Sequence, residues 1–237
     1  MAATPPTRPA PPPLAAAVLD HLTSTYGAAA DADRAAAARA YMRDQFPFLG
    51  IPAPLQRSLT RKVLAGLDKP DEEDLRAVAL GCWALAEREY QYFACTWLRR
   101  HAKICSAGFL DTARHLIVTK AWWDTVDTLA AHLVGPLVAR HPELASTMDT
   151  WVRDNDMWLV RTAILHQIRY KESTDVARLF RYCTARAAGH RDFFIRKAIG
   201  WALREYAKTD PAAVRAYVRA HEAQLSGLSI REALKNL

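Results

Sequence analysis

The clearest structural signal in the sequence is the stretch Lys120-Ala121-Trp122-Trp123-Asp124-Thr125-Val126-Asp127, because its aromatic register returns twice further along the chain. The recurring positions are 36 residues apart: Trp122, Trp158 and Phe194. A period of this length is typical of stacked helix pairs, in which each repeat buries its apolar face against its neighbours. We therefore predict an all-α fold, a HEAT-like helical-repeat solenoid of about twelve helices with a concave basic face.

Local signals predict helices from Leu14 onward. The sequence contains nine glycines and no Asn-Gly or Asp-Gly hairpin signal. Acidic residues that can cap a first turn mark the predicted helix starts: Asp71-Glu72-Glu73-Asp74, Asp156, Asp192 and Asp210-Pro211. Helix ends are predicted at Gly135-Pro136 and His141-Pro142, because proline cannot continue a helix.

Composition indicates one globular domain over residues 14–237, preceded by a proline-rich tail over residues 1–13 that we expect to be disordered. The 237 residues are 51% hydrophobic and 24% charged, which is enough to bury a core. No run of about 18 apolar residues and no apolar signal segment occurs, so we expect a cytoplasmic, nucleoid-associated bacterial protein. The four cysteines lack zinc-ligand spacing and are expected to be buried thiols. We expect neither a metal nor a cofactor.

The formal net charge of +7 favours a polyanionic partner. One stripe of the helix predicted over residues 193–209 carries three cations around an indole: Lys197, Trp201, Arg204 and Lys208. Such a stripe suits a surface that follows a nucleic-acid backbone, but it also suits a solvated basic face with Trp201 half-buried in the core. Arg161 and Arg169, eight residues apart on the preceding helix, extend the predicted basic groove.

One acid stands out in this basic protein. If residues 120–127 are helical, three side chains share a face: Lys120, Trp123 and Asp127. Asp127 also falls where the other two repeats carry Ala163 and Ile199, so it replaces an apolar residue. Stabilisation of a cation is one explanation for this carboxylate. The other is structural, with Asp127 bridging to a neighbouring helix, for example to Arg161.

For three further features of the sequence, a structural role is favoured over a functional one. Trp122 is expected in the core because its repeat partners are apolar. The run Glu87-Arg88-Glu89 is typical of the solvated start of a helix. Tyr41 is either a core residue or a ligand contact, and the sequence alone favours the core.

Several stretches occur in a characteristic order: Tyr41-Met42-Arg43-Asp44-Gln45-Phe46, Glu87-Arg88-Glu89-Tyr90-Gln91, residues 116–127, Asp154-Asn155-Asp156-Met157-Trp158-Leu159, residues 195–209 and Leu228-Ser229-Ile230-Arg231-Glu232-Ala233. In this order they resemble the AlkD-type DNA alkylation repair glycosylases, a family built from HEAT-like repeats. The resemblance covers roughly residues 14–237 and leaves out the proline-rich tail.

The resemblance implies hydrolysis of the N-glycosidic bond of cationic N3- or N7-alkylated purines in duplex DNA, which leaves an abasic site. Carried over by position, it implies a catalytic trio: Trp123, Asp127 and Trp201. It implies that Arg161 supports the site and the lesion-bearing strand. The DNA-binding residues expected from the resemblance and the basic stripe are Tyr41, Arg57, Arg161, Arg169, Lys197, Arg204 and Lys208. The trio contains no lysine able to form a Schiff base, so we expect a monofunctional glycosylase. We also expect the protein to be a monomer.

Two functional hypotheses stay open at this point. The first is a DNA glycosylase, serving either general methylpurine repair or self-resistance to a bulky DNA-alkylating natural product. The second is a non-catalytic HEAT-like module that binds DNA or an acidic protein, in which Asp127 is only structural.

Overall fold

The computed structural model describes residues 11–187 and 192–237, and every regular element within these ranges is helical. They contain fourteen α-helices, two of which are joined end to end through a π-helical segment. The all-α prediction is therefore confirmed. No helix of the described residues is long and apolar enough to cross a lipid bilayer.

The chain divides into two compact units, the first ending at Ile104 and the second beginning at Cys105. The prediction of one domain over residues 14–237 stays a prediction.

The first unit contains five α-helices and a short 3₁₀ turn: α1 Pro13–Gly27, α2 Ala32–Tyr41, α3 Ala53–Val63, α4 Glu72–Ala84, α5 Arg88–His101 and the turn Ala102–Ile104. Helix α1 packs on α3 and α4, and α4 packs on α5. At their centre Tyr26 stacks on Tyr90 with ring centroids 5.9 Å apart and shares a 2.7 Å hydrogen bond with Thr60. Helix α1 begins at Pro13, within the predicted tail, whose residues 1–10 lie outside the described residues.

The second unit holds the remaining helices: α6 Phe109–Val118, α7 Trp123–Leu129, the π segment Ala130–Val134, α8 Gly135–Arg140, α9 Ala145–Trp151, α10 Met157–Leu165, α11 Val176–Ala187, α12 Phe193–Ala207, α13 Pro211–Ala220 and α14 Gly227–Ala233. Short 3₁₀ turns at Pro142–Leu144 and Lys171–Ser173 lie in the connections. Helix α10 packs against both α7 and α12, and α12 packs against α14. These contacts bring the three copies of the sequence repeat together.

The repeated aromatic positions meet in space. Trp122, Trp158 and Phe194 form a three-ring cluster, here called the aromatic layer, with centroids 5.1–5.8 Å apart. Asp156 and Asp192, also 36 residues apart, cap α10 and α12, and each accepts hydrogen bonds from two backbone N–H groups of its helix. The predicted register is thus a structural repeat in the second unit.

The first copy of the repeat departs from the other two. In this register Lys120 stands where Asp156 and Asp192 cap their helices. Lys120 adopts the left-handed conformation with φ of 50°, and α7 begins three residues later at Trp123. The expectation that Lys120 shares a helical face with Trp123 and Asp127 is therefore wrong, because lysine cannot cap and the chain turns there.

The predicted helix end at Gly135-Pro136 is also wrong. The helix runs on from α7 into α8 through the π segment. The wider π turn accommodates the ring of Pro136, which would clash with a carbonyl in a regular α-helix. Gly135 is required by close packing, since a Cβ there would lie 2.3 Å from the His166 carbonyl oxygen. The predicted end at His141-Pro142 is confirmed, because α8 ends at Arg140.

The run Glu87-Arg88-Glu89 is not a solvated helix start, because Arg88 and Glu89 are 0% and 2% exposed. The Glu89 carboxylate accepts hydrogen bonds from three successive backbone N–H groups, those of Leu49, Gly50 and Ile51. The Arg88 guanidinium lies 3.9 Å from the centroid of the Phe46 ring. Both charges therefore fasten the segment between α2 and α3 onto α5. All four cysteines are buried and unbridged, as predicted.

Candidate active site

The predicted acid, Asp127, lies on α7 and is paired with Arg161 of α10. Arg161 Nε donates to Asp127 Oδ1 at 2.7 Å, and Arg161 Nη2 donates to Asp127 Oδ2 at 2.8 Å. The two side chains are 16% and 4% exposed, so this bidentate pair is largely removed from water. Parallel charge-assisted hydrogen bonds of this kind fix the orientation of both partners. The bridge to a neighbouring helix considered from the sequence is therefore present.

Arg161 is held on a third side by the start of α12. Its Nη1 donates to the main-chain carbonyl of Phe194, and its guanidinium carbon lies 6.0 Å from the centroid of the Phe194 ring. The buried guanidinium is therefore committed to Asp127 and α12. The side chain is 4% exposed, and the expectations that Arg161 supports the site and contacts DNA both stay predictions.

A cavity of about 630 Å³ opens beside Asp127. Trp201 of α12 lines the same cavity and is half-buried. Apolar side chains from the π segment, α10, α11 and α12 line it together with polar ones; the lining includes Ala131, Ile164, Leu179, Ala202, Thr128, His132, Gln167, Glu205 and Tyr206. Asp127 and Trp201, 74 residues apart in sequence, are thus brought to one cavity.

Trp123, the third predicted catalytic residue, is the first residue of α7, one turn before Asp127. Its side chain is half-buried. Trp123 is not among the described residues that line the cavity. The structure therefore groups Asp127 with Trp201 around the cavity and places Trp123 beside Asp127 on the helix.

Burial changes the acidity of Asp127. Desolvation raises its pKa above the usual range, while the hydrogen bonds and the charge of Arg161 act in the opposite direction and Asp124 adds a further increase. A carboxylate that is largely removed from water interacts with a nearby charge more strongly than an exposed one does. Each Asp127 oxygen accepts one hydrogen bond from Arg161, and a carboxylate has about four acceptor positions, so two stay available.

The predicted basic stripe on α12 is less basic than the sequence indicates. Lys197 Nζ and Arg204 Nη1 each lie 2.7 Å from a different oxygen of Glu232 on α14. Lys208 Nζ lies 2.7 Å from the Glu205 carboxylate one turn away. The Lys197 hydrogen bond and neighbouring positive charges hold the pKa of Glu232 below its usual range, so it stays ionised. The three cations are therefore paired with two carboxylates, and their predicted role in DNA binding stays a prediction.

The sequence reasoning did not identify Glu232 as part of this surface. It lies 28 residues beyond Arg204 and belongs to a short terminal helix. Gly200 permits the contact, because a Cβ there would lie 2.5 Å from Glu232 Cβ and 2.8 Å from the Ser229 carbonyl oxygen. The only sequence signal was this glycine inside a strongly helical run.

The other predicted DNA-binding residues are accessible. Arg169 is exposed, and both it and Lys208 line the cavity. Arg57 is exposed on α3 of the first unit. Tyr41 is 76% exposed at the end of α2, so the interpretation that placed it in the core is wrong.

Within the described residues, no group of three or more histidine, cysteine, aspartate or glutamate side chains is arranged to hold a metal ion. The charged and aromatic residues that line the cavity are Asp127, which Arg161 orients, together with Glu172, Glu205, Trp201, Tyr206, Arg169, Lys171 and Lys208. Such an arrangement can stabilise a positive charge next to a phosphate-bearing ligand.

Comparisons with known proteins assign the family. The family described as DNA alkylation repair enzyme matches residues 22–237. A solved structure described as a predicted DNA alkylation repair enzyme from Enterococcus faecalis is 32% identical, and the match covers 88% of this chain and 96% of that one, with a TM-score of 0.80. A comparison with curated proteins gives no significant match. The chain belongs to the DNA alkylation repair enzyme family.

Proposed function

We propose that the protein is a monofunctional DNA glycosylase that hydrolyses the N-glycosidic bond of cationic N3- or N7-alkylated purines in duplex DNA and leaves an abasic site. The observation that supports this most strongly is the buried, bidentate Asp127–Arg161 pair opening onto a cavity that also holds Trp201. A carboxylate is costly to bury, and such groups are found preferentially where a charge must be stabilised.

Cleavage of the N-glycosidic bond of a cationic purine requires few catalytic groups. Alkylation at N3 or N7 makes the purine a cation and a good leaving group, so no strong general acid is required. Bond cleavage leaves positive charge on the sugar, and Asp127 would stabilise that charge in a site of low dielectric and orient the attacking water. Trp201 and Trp123 would present π faces to the electron-poor sugar, each contributing roughly 0.5–2 kcal/mol.

Contacts with the DNA backbone form the second part of the proposal. Arg169 and Lys208 are the predicted DNA-binding cations that line the cavity, and they would contact the backbone next to the reaction site. Lys197 and Arg204 each bind Glu232 through one nitrogen, and their remaining N–H groups would bind phosphate. Tyr41 and Arg57, both exposed in the first unit, would also contact DNA. Screening of such contacts by salt predicts that affinity falls steeply with ionic strength. A monomer acting in the bacterial cytoplasm, on the nucleoid, completes this proposal.

A base-release assay tests the activity. Duplex DNA containing N7-methylguanine is incubated with the protein, free base is quantified, and abasic sites are revealed by alkaline strand cleavage. The proposal predicts release of free base with strand breaks only after alkali, since the predicted catalytic trio contains no lysine that could form a Schiff base. Strand cleavage without alkali would contradict the monofunctional assignment.

A second function is favoured by one specific observation. Because Arg161 engages both oxygens of Asp127, the pair could serve only to join α7 to α10 in a non-catalytic DNA- or protein-binding module. Binding without release of any cationic adduct would favour this alternative. A panel running from methylpurines to bulky N7 adducts separates general repair from resistance to a natural product, since the 630 Å³ cavity does not by itself exclude either.

A further inference from the structure

The first turn of α12 contributes no side chain to the cavity, yet it contacts the residue that orients the candidate catalytic acid. Phe194 supplies the third hydrogen-bond partner of Arg161 through its main-chain carbonyl. The other two partners are the oxygens of Asp127. The position of this carbonyl therefore limits where the guanidinium, and with it the carboxylate, can lie.

Two independent features fix that carbonyl. Asp192 caps α12 by accepting hydrogen bonds from the main-chain N–H groups of Phe194 and Ile195, at 2.7 and 3.2 Å. The Phe194 ring packs on Trp122 and Trp158 in the aromatic layer, at centroid distances of 5.2 and 5.1 Å. A frayed first turn would release both the backbone and the ring.

The aromatic layer also joins the helices that carry the pair. Trp122 immediately precedes α7, which carries Asp127, and Trp158 lies in the first turn of α10, which carries Arg161. Each repeat thus contributes one ring to the layer, and the first two repeats also contribute one member of the ion pair. The ion pair thus lies on two of the helices joined by the aromatic layer, and the third, α12, supplies the carbonyl that binds Arg161.

We propose that the Asp192-capped first turn of α12, with the aromatic layer, is a positioning device that holds Arg161 and thereby orients Asp127 for the reaction. The expected effect on the reaction rate rests on the proposed glycosylase function, whereas the positioning of Arg161 does not. Asp192 and Phe194 are positioning residues, since neither touches the cavity in which the reaction would occur.

The test uses the full-length protein with Asp192→Ala as the main variant and Asp192→Ser as the conservative one, because serine also caps helices well. Asp71→Ala is the matched control, because Asp71 also caps a helix: its side chain accepts a hydrogen bond from the Asp74 N–H in the first turn of α4, in the first unit. Single-turnover release of N7-methylguanine and affinity for the same duplex are both measured.

We expect Asp192→Ala to reduce the single-turnover rate at least tenfold while affinity for DNA changes less than threefold. Asp192→Ser should recover most of the rate, and Asp71→Ala should leave it unchanged. Phe194→Leu, which keeps an apolar side chain but removes the ring contacts, should also slow release. Equal loss of rate in the Asp192→Ala and Asp71→Ala variants would overturn the proposal, because it would indicate a general effect of stability.

A second readout does not depend on activity. The Nε–H proton of Arg161, hydrogen-bonded to Asp127, is followed by NMR of ¹⁵N-labelled protein. Its exchange with solvent should accelerate in Asp192→Ala and not in Asp71→Ala. Unchanged exchange in Asp192→Ala would refute positioning, even if the wild type released base. Conversely, a wild type that releases no base would refute the proposed function, while the exchange result still decides the positioning.

Discussion

Replacing Arg161 with alanine should destabilise the protein in a strongly pH-dependent way. The substitution leaves the Asp127 carboxylate, only 16% exposed, without its partner. Removing one member of a buried ion pair costs about 3–5 kcal/mol, and hydrogen bonds to charged groups contribute about 1.5–3 kcal/mol each. Because Asp127 keeps some access to water, we expect a loss near the lower end, about 3 kcal/mol at pH 8.

The sign of the pH dependence follows from Asp127. Desolvation already raises its pKa, and Arg161 is the main influence that lowers it. In the Arg161→Ala variant the folded-state pKa rises further above the unfolded value. Native protein then binds more protons than unfolded protein between these two pKa values, so stability falls as pH rises through that interval. The deficit relative to wild type should therefore be smaller at pH 5 than at pH 8.

Urea unfolding followed by circular dichroism at pH 5 and pH 8 measures both quantities. Arg153→Ala is the matched control, since Arg153 is an exposed arginine between α9 and α10 and its loss should change stability by less than about 0.5 kcal/mol. A deficit for Arg161→Ala below about 1 kcal/mol at pH 8, or one that is equal at the two pH values, would refute the reasoning.

Three further predictions concern stability. Burial lowers the pKa of His166 to about 4, so stability should fall by up to about 3 kcal/mol as pH drops from 6.5 towards 4, and His166→Gln should flatten this dependence in denaturant titrations. Gly200→Ala should cost about 1–3 kcal/mol through the clash with α14, whereas Gly27→Ala, with open space around its Cβ, should be neutral or stabilising in thermal melts. Glu89→Ala should cost about 2–5 kcal/mol, because it leaves three main-chain N–H groups, two of them in buried hydrogen bonds, without their acceptor, and native-state hydrogen exchange should show residues 49–51 losing protection.

Features that depend on neighbouring residues in the sequence were predicted well. The caps at Asp156, Asp192 and Asp210 are local, because the side chain and the N–H groups it accepts from lie within three residues. The repeat register was predicted too, since the aromatic positions recur at a constant spacing. These signals were sufficient for an all-helical fold and for the contact among the repeated aromatic residues.

Features that depend on distant partners were predicted less well. The buried state of Glu89 follows from main-chain N–H groups about forty residues earlier, and no periodicity reports them. The pairing of Lys197 and Arg204 with one shared carboxylate follows from Glu232 on α14. For Asp127 the predicted bridge to Arg161 is present, and the carboxylate also lines a cavity, while its role in stabilising a cation stays a prediction. The composition and residue spacing of the sequence do not indicate whether a carboxylate forms an ion pair, lines a cavity, or does both.

The central claim, that Asp127 stabilises a developing sugar cation, is tested most directly by single-turnover release of N7-methylguanine from duplex DNA by wild type and Asp127→Asn, with DNA affinity measured in parallel. Asparagine keeps the size of the side chain and removes its charge. We predict that the rate falls by about 10²–10³-fold while affinity is unchanged or slightly higher, because the carboxylate acts on the transition state and repels phosphate in the ground state. Full retention of the wild-type rate by Asp127→Asn would contradict the account.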